Sequence, residues 1–534
     1  MDAAALSALA LGLPLLALVL VGRPQAAVFA AFGAFTGLYG ADRPYALRAR
    51  TLAAVAVGFV AAVALGSAGA MVLEHWWWVA AVAAVAAAAT WGCDAAALGS
   101  PGAWMFLFAF AASMQVPAQP REVLTRSLLA AGGAAVAWSV AMLGALTDPR
   151  GPERRATATA LLATAQVLAL GPEATSRHWH RAQVALRRAE RYAVAAPAVV
   201  AEPLLGRLFH AEALLTDAVL APAGPQAAAL ANRLRGQGRS LGRTSVWWRN
   251  LVSGSDACAS SAGGRPADDS ARETPTRDDA QARGRLPAPV ERLRRQHRRH
   301  LAVLRLVSAA RVLLGAGVAG AGALLLGLGH PYWAPVSAAA VLQSTHVRMT
   351  WHRSIQRGLG TAAGLVIGAL LLQAHPHPLV IAALVVLMQL GIELFLSRNY
   401  ALGVLFITPM TMLLSDLVVP SSAFVLVRDR LAGVALGITV GLAAALLVAH
   451  PRAAASLRHA VERCQIAAGW AATATTSARI LAVEELRDAL VELRAAEDVA
   501  RGETWAAGIP QAEVDDTERR AYLVLAAQRR ALPD

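Results

Sequence analysis

The sequence predicts an all-α polytopic membrane protein, in which two repeated blocks of about six transmembrane helices carry helical cytoplasmic domains. Three observations predict it. The chain of 534 residues is 56% hydrophobic and only 16% charged, with a mean hydropathy of +0.47. Soluble domains run about 45–50% apolar and about 25% charged. Its apolar residues collect in stretches close to the roughly 20 residues with which a helix spans a bilayer. Those stretches fall in two groups, separated by charged sequence with helical periodicity. Twelve spanning helices would use about 240 residues and leave more than half the chain for water-soluble parts. A simple secreted domain, a disulfide scaffold and a coiled coil are excluded.

Residues 1–146 read as the first transmembrane block. The first 22 are apolar after Met1 and Asp2. No Arg precedes Arg23, so the charged head of a signal peptide is missing and a retained first helix is expected. Apolar stretches follow at about 25–40, 51–70, 76–91, 95–114 and 127–146. Residues 147–253 set Arg154, Arg155, Arg177, Arg181, Arg187, Arg188 and Arg191 among Ala and Leu at helical spacing. That pattern predicts a cytoplasmic helical domain. Residues 254–300 combine a Ser-, Gly-, Asp-, Arg- and Pro-rich linker, of disordered composition, with a basic juxtamembrane run from Glu291 to His300. Anionic lipid holds such a run at the cytoplasmic face. No base-reading fold accompanies it, so nucleic acid is not an expected partner. Residues 301–450 form the second block, with stretches at about 306–328, 333–345, 357–373, 378–396, 400–418 and 430–450. Residues 451–534 return to mixed charge as a C-terminal cytoplasmic helical region.

The blocks read as copies. An offset of 307 positions sets Pro331 on Pro24, Trp333 on Ala26 and Arg357 on Arg50, and Arg430 meets Arg126 after a short deletion. An even number of crossings gives both copies one orientation, a parallel repeat. Arg43, Arg48, Arg50, Arg348, Arg353, Arg357 and Arg398 then fall on inner loops, with both termini inside. Arg121, Arg126, Arg428 and Arg430 fall on the other side and run against that topology.

All 49 basic residues are arginine, and the net charge is +14. Beside apolar stretches this surplus suits an anionic membrane surface. Cys93, Cys258 and Cys464 are far apart, without metal spacing or a disulfide framework. There is no P-loop, nucleophile elbow or HExxH, so no enzyme activity and no cofactor are expected. Transport would be secondary or passive.

His330-Pro331-Tyr332-Trp333 opens a stretch, Arg357-x-x-Gly360-Thr361-x-x-Gly364 follows, and Arg430-x-x-Gly433 closes the block. On these motifs the chain resembles the fusaric acid resistance family of bacterial inner-membrane proteins, which includes aromatic carboxylic acid efflux pumps. The resemblance is strongest over about 300–450 and weaker over 1–146. It implies an inner-membrane location and carriage of a small organic anion. Expected partners are that anion and the lipid bilayer, with a second copy of the chain and a periplasmic adaptor protein left open.

Arg357 and Arg430 stand at predicted helix starts, and Arg311 about one turn into its stretch. Each is either a snorkelling, orienting charge or, facing the bundle interior, a planar donor fork for a substrate carboxylate. Tyr332, Trp333 and Tyr400 are an interfacial belt or a stacking surface for an aromatic acid. Thr408 precedes Pro409, and a broken helix can border a transport site. Glu393 and Asp416 are candidates for proton coupling, with interfacial exposure as the alternative. Gly360, Gly364 and Gly368, like Gly433, Gly437 and Gly441, recur every four residues, which predicts close helix packing. Gly315-x-Gly317-x-x-Gly320 lies inside an apolar run with no preceding strand, so it reads as packing rather than a dinucleotide loop. His375 and His377 are too few to hold a metal. The leading expectation is secondary export of small organic, aromatic carboxylic acids. A passive organic-anion channel and a non-transporting scaffold that recruits a cytoplasmic partner are the alternatives.

Overall fold

The computed structural model describes residues 3–99, 101–196, 198–220, 225–242, 288–343, 347–396, 398–418, 422–448, 450–501 and 511–530. The Ser- and Gly-rich linker and Cys258 lie outside them. The described residues are helical and contain no strand. They divide into two compact units.

The first unit is built from residues 1–143 and 300–453, with a short piece at 499–507. Its first block runs α1 (Ala3–Leu20), α2 (Pro24–Ala34), α3 (Tyr45–Val72), α4 (His75–Ala95), α5 (Trp104–Met114) and α6 (Pro120–Met142). The second block runs α11 (Ala288–Leu325), whose residues up to 299 belong to the second unit, α12 (Trp333–Leu342), α13 (Val347–Gln373), α14 (Pro378–Phe395), α15 (Tyr400–Val418) and α16 (Ala423–Val448). The basic run 291–300 is the start of α11 rather than a separate segment. Among the described residues, eight helices are long and apolar enough to cross a membrane. The four shorter apolar helices include α2 and α12, the second element of each block. At 1.5 Å per residue the ten residues of α12 reach about 15 Å, half of a hydrocarbon core of about 30 Å. All ten are buried. Protein therefore surrounds α12, as a half-length helix in a bilayer requires.

The two blocks pair their helices alike. In the first, α2 packs on α6, α3 on α5 and α6, and α4 on α5. In the second, α12 packs on α16, α13 on α15 and α16, and α14 on α15. Contacts between blocks are reciprocal: α1 meets α14 while Gly317 and Gly320 of α11 meet Ala83 and Val79 of α4, and α5 meets α12 while α15 meets α2. Such exchange is what a two-fold relation produces. The register differs from the 307-position offset. Arg126 faces Phe29 where Arg430 faces Trp333, and Gly133 faces Ala30 where Gly437 faces Ala334, each pair 304 positions apart. Trp333 thus corresponds to Phe29, not Ala26. Aligning on proline misplaced it, because Pro24 is the first residue of α2 whereas Pro331 lies in the turn before α12.

The second unit is built from the described residues within 144–299, 454–498 and 508–534. It contains α7 (Gly151–Leu170), α8 (Ser176–Val194), α9 (Ala198–Leu220) and α10 (Pro225–Gly242), with most of α17 (His450–Thr473) and α18 (Thr476–Arg501) and all of α19 (Gln511–Arg530). Charged stretches on either side of the second block therefore fold together. Leu161, Leu215 and Leu234 centre its apolar core. Arg463 lies between Glu485 and Glu492, and Arg494 between Glu497 and Glu518. Arg187 joins Glu190 to Asp488 across 2.8 Å on each side.

Candidate binding site between the two membrane blocks

The site begins with α12. Its first residue, Trp333, stacks on Phe108 of α5 with ring centres 5.5 Å apart and meets the ring of Tyr332, tilted by 39°, at 4.4 Å. The guanidinium carbon of Arg430, from α16, lies 3.2 Å from the Trp333 ring centre, a cation–π contact. Arg430 is 3% exposed, and its Nε and Nη1 meet no acceptor among the described residues. Arg357 of α13 is also buried. It donates to the Tyr400 hydroxyl and to the Ser337 hydroxyl, both at 3.2 Å, and its Nε is left over. Neither arginine forms an ion pair among the described residues. A buried charge without a counter-charge is costly. Arg311 donates to the carbonyl of Leu342, the last residue of α12, at 2.6 Å. A cation there suits the negative end of the helix dipole.

The matching arginine of the first block is arranged differently. Arg126 lies 4.9 Å over Phe29, but its guanidinium donates to the carbonyls of Val116 and Pro117 and to Glu122. The first block satisfies its arginine internally; the second does not.

A cavity of about 370 Å³ opens beside this cluster. Its apolar wall includes Phe35, Trp104 and Phe108 of the first block. Its polar wall comes from the second, with Gln343, Arg353, Gln389, Glu393, Tyr400 and Thr411. The volume suits one small molecule. The Ser7 hydroxyl donates to Oε1 of Glu393 at 2.8 Å, while Gln389 Nε2 donates to that oxygen at 3.4 Å and to Ser7 at 3.2 Å. Ser7 of α1 thus ties the second block's carboxylate to the first block. The guanidinium carbon of Arg353 lies 5.7 Å from the Tyr400 ring centre.

Of the residues singled out in the sequence, Tyr400 and Glu393 line this cavity; Arg357, Tyr332, Trp333 and Arg430 sit in the layer around it. Asp416 is not among the lining residues. Thr408 does not face it either. Its hydroxyl donates to the Val404 carbonyl and its Cβ packs against Gly364; Thr411, one turn on, lines the cavity. Gly360 and Gly364 face the Ala401 and Leu405 carbonyls of α15, and Gly433 and Gly437 face Trp333 and the Ala334 carbonyl of α12. Arg353, Gln389, Gln343, Ser337 and Ser7 were missed in the sequence. Arg353 alone had a signal, standing four residues before Arg357 and so on the same helix face.

Residues 318–444 match the model of a family described as fusaric acid resistance protein-like. The matched stretch covers most of the second block, from within α11 to within α16, and so holds α12, Arg357, Arg430 and the polar wall of the cavity. The whole chain is similar to an uncharacterized membrane protein, YvaC, of Bacillus subtilis (strain 168), at 26% identity over 555 residues. The similarity covers 99% of this chain and 85% of that relative. No solved structure matches. The chain is a multi-pass membrane protein, and its fusaric acid resistance-like region points to membrane transport or efflux.

Proposed function

We propose that the chain is a secondary exporter of small organic carboxylates, aromatic ones in particular, in the bacterial inner membrane with both termini cytoplasmic. The observation that carries this reading is the cavity between the blocks, with an aromatic wall on one side and Arg353 and Tyr400 on the other. The carboxylate docks at Arg353, whose planar donor fork matches it. Buried Arg357 and Arg430 lie close by without carboxylates of their own and add attraction for an anion. The ring stacks on the first block's aromatics. Glu393, held by Ser7 and Gln389, takes and releases the proton that couples transport. The half-length helices α2 and α12, at corresponding positions of the two halves, support a site here, since paired short segments mark transport sites in repeat-built carriers.

The test is retention of radiolabelled aromatic acids in cells stripped of their own efflux pumps, with and without this chain. The panel includes pyridine and hydroxybenzoate carboxylates and is repeated with the proton gradient collapsed. Lower retention that disappears with the gradient is expected. Lower retention that persists identifies a passive channel instead. Arg357→Gln, inserted normally, is expected to abolish export; normal export by that variant removes Arg357 from the site.

A further inference from the structure

The cavity presents two opposite charges and pairs neither. Arg353 and Glu393 both line it, and they form no ion pair with each other. Among the described residues, Arg353 forms no hydrogen bond or ion pair and lies over the Tyr400 ring, and Glu393 accepts hydrogen bonds only from Ser7 and Gln389, both at Oε1. The second oxygen, Oε2, has no donor among the described residues. The rest of the lining is apolar or neutral, with Phe108, Trp104 and Met410 in the aromatic and aliphatic part. A charge facing a mostly apolar cavity is poorly solvated and gains most from a ligand counter-charge.

A simple monoanion answers only half of this wall. It pairs with Arg353 but brings a second negative charge into the space that Glu393 already faces. Like charges in such a space repel unless one is neutralised. A ligand with a carboxylate at one end and a protonated amine at the other satisfies both. Ser7 and Gln389 hold Glu393 in place before the ligand arrives, so little side-chain freedom remains to be lost on binding.

We propose that the preferred substrates of this cavity are zwitterions, in which an apolar or aromatic body separates a carboxylate from an ammonium group. The carboxylate pairs with Arg353 and the ammonium with Oε2 of Glu393. This rests on the export reading and narrows its substrate class. It also supplies the coupling. Glu393 holds a proton or the substrate's ammonium, but not both, and mutual exclusion at one group is what exchange of substrate for proton requires.

The experiment is calorimetric titration of the purified full chain with three matched ligands: benzoate, benzylamine and 4-(aminomethyl)benzoate. The zwitterion is expected to bind about tenfold or more tightly than benzoate, the gain of one charge-assisted hydrogen bond. Glu393→Gln is expected to reduce the zwitterion's advantage over benzoate to within about twofold. Arg353→Gln is expected to weaken both carboxylate ligands. Benzoate binding as tightly as the zwitterion overturns the inference and leaves the export reading standing. A zwitterion advantage that survives Glu393→Gln in folded protein also overturns it. If neither carboxylate binds, the carboxylate reading falls and the inference with it. The wild-type ranking needs no variant, so a misfolded variant does not rescue the idea.

Discussion

The guanidinium carbon of Arg430 lies 3.2 Å from the centre of the Trp333 ring, while Nε and Nη1 of the same group meet no acceptor among the described residues. Its counterpart Arg126 keeps an aromatic neighbour but spends its donors on the carbonyls of Val116 and Pro117 and on Glu122. One repeated position has become a structural clasp in the first block and an unneutralised cation in the second.

That asymmetry predicts opposite stability effects. Arg126→Met leaves the Val116 and Pro117 carbonyls without this donor, while Glu122 keeps only the Gln119 backbone N–H, and is expected to cost about 1–3 kcal/mol. Arg430→Met removes an unpaired buried charge and is expected to leave stability unchanged or raise it, while weakening anion binding. Thermal unfolding of the detergent-solubilised variants ranks them. A larger loss for Arg430→Met would show that the cation–π contact outweighs desolvation.

Close helix approach sets the second prediction. A Cβ on Gly437 would lie 2.5 Å from the Ala334 carbonyl oxygen of α12, whereas one on Gly92 meets nothing within 4 Å. Both residues are helical, so propensity favours alanine equally at the two positions. Gly437→Ala is expected to lower stability by about 1–3 kcal/mol through overpacking. Gly92→Ala is expected to be neutral or mildly stabilising. Equal melting temperatures for the two variants would show that α12 yields freely.

Acid should loosen the second unit. Burial alone would raise the carboxyl of Glu485, but hydrogen bonds and charge from Arg463 and Arg294 outweigh it and hold the group below its ordinary 4.5. Glu492, half-buried, is held low by His297 and Arg463. Depressed folded values contribute stability that is fully present above about pH 4.5 and is lost as pH falls through the lower folded values. Hydrogen exchange along α18 is expected to accelerate only below that point. Arg463→Leu leaves Glu485 with Arg294 alone and Glu492 with His297 alone, is expected to cost about 1–3 kcal/mol at neutral pH, and should flatten the acid dependence. An unchanged acid profile in that variant would place the sensitivity elsewhere.

Cys464 offers a local probe of the same unit. It is fully buried, and burial pushes its thiol up to about 12. In a Cys258→Ser background, iodoacetamide at pH 8 is expected to leave Cys464 unmodified in folded protein and to label it in denaturant, since the thiolate is the reacting form. Mass spectrometry of that residue reads the outcome. Rapid labelling without denaturant would mean that α17 opens readily.

The sequence by itself determined the class of this protein. Apolar stretches of spanning length, two groups of them, and an arginine-rich interruption specify an all-α membrane protein with a repeat, because a continuous apolar run of about 20 residues satisfies its own backbone in hydrocarbon as a helix, whereas barrel strands are shorter and alternate. Tyr400 and Glu393 of the cavity wall, and Arg357 and Arg430 beside it, stand out in the sequence because such groups are costly at that depth, whereas Gln343, Gln389, Ser337 and Ser7 carry no such signal. Three things were decided only by tertiary structure. The repeat register depends on which side chain faces which arginine, and turn length between α1 and α2 differs from that between α11 and α12. The cavity wall depends on helices hundreds of residues apart, as Ser7 on Glu393 shows. The difference between Arg126 and Arg430 depends on whether carbonyls happen to lie within reach. Composition and periodicity report the cost of burying a group; only the packed neighbours determine whether that cost is met or left for a ligand to meet.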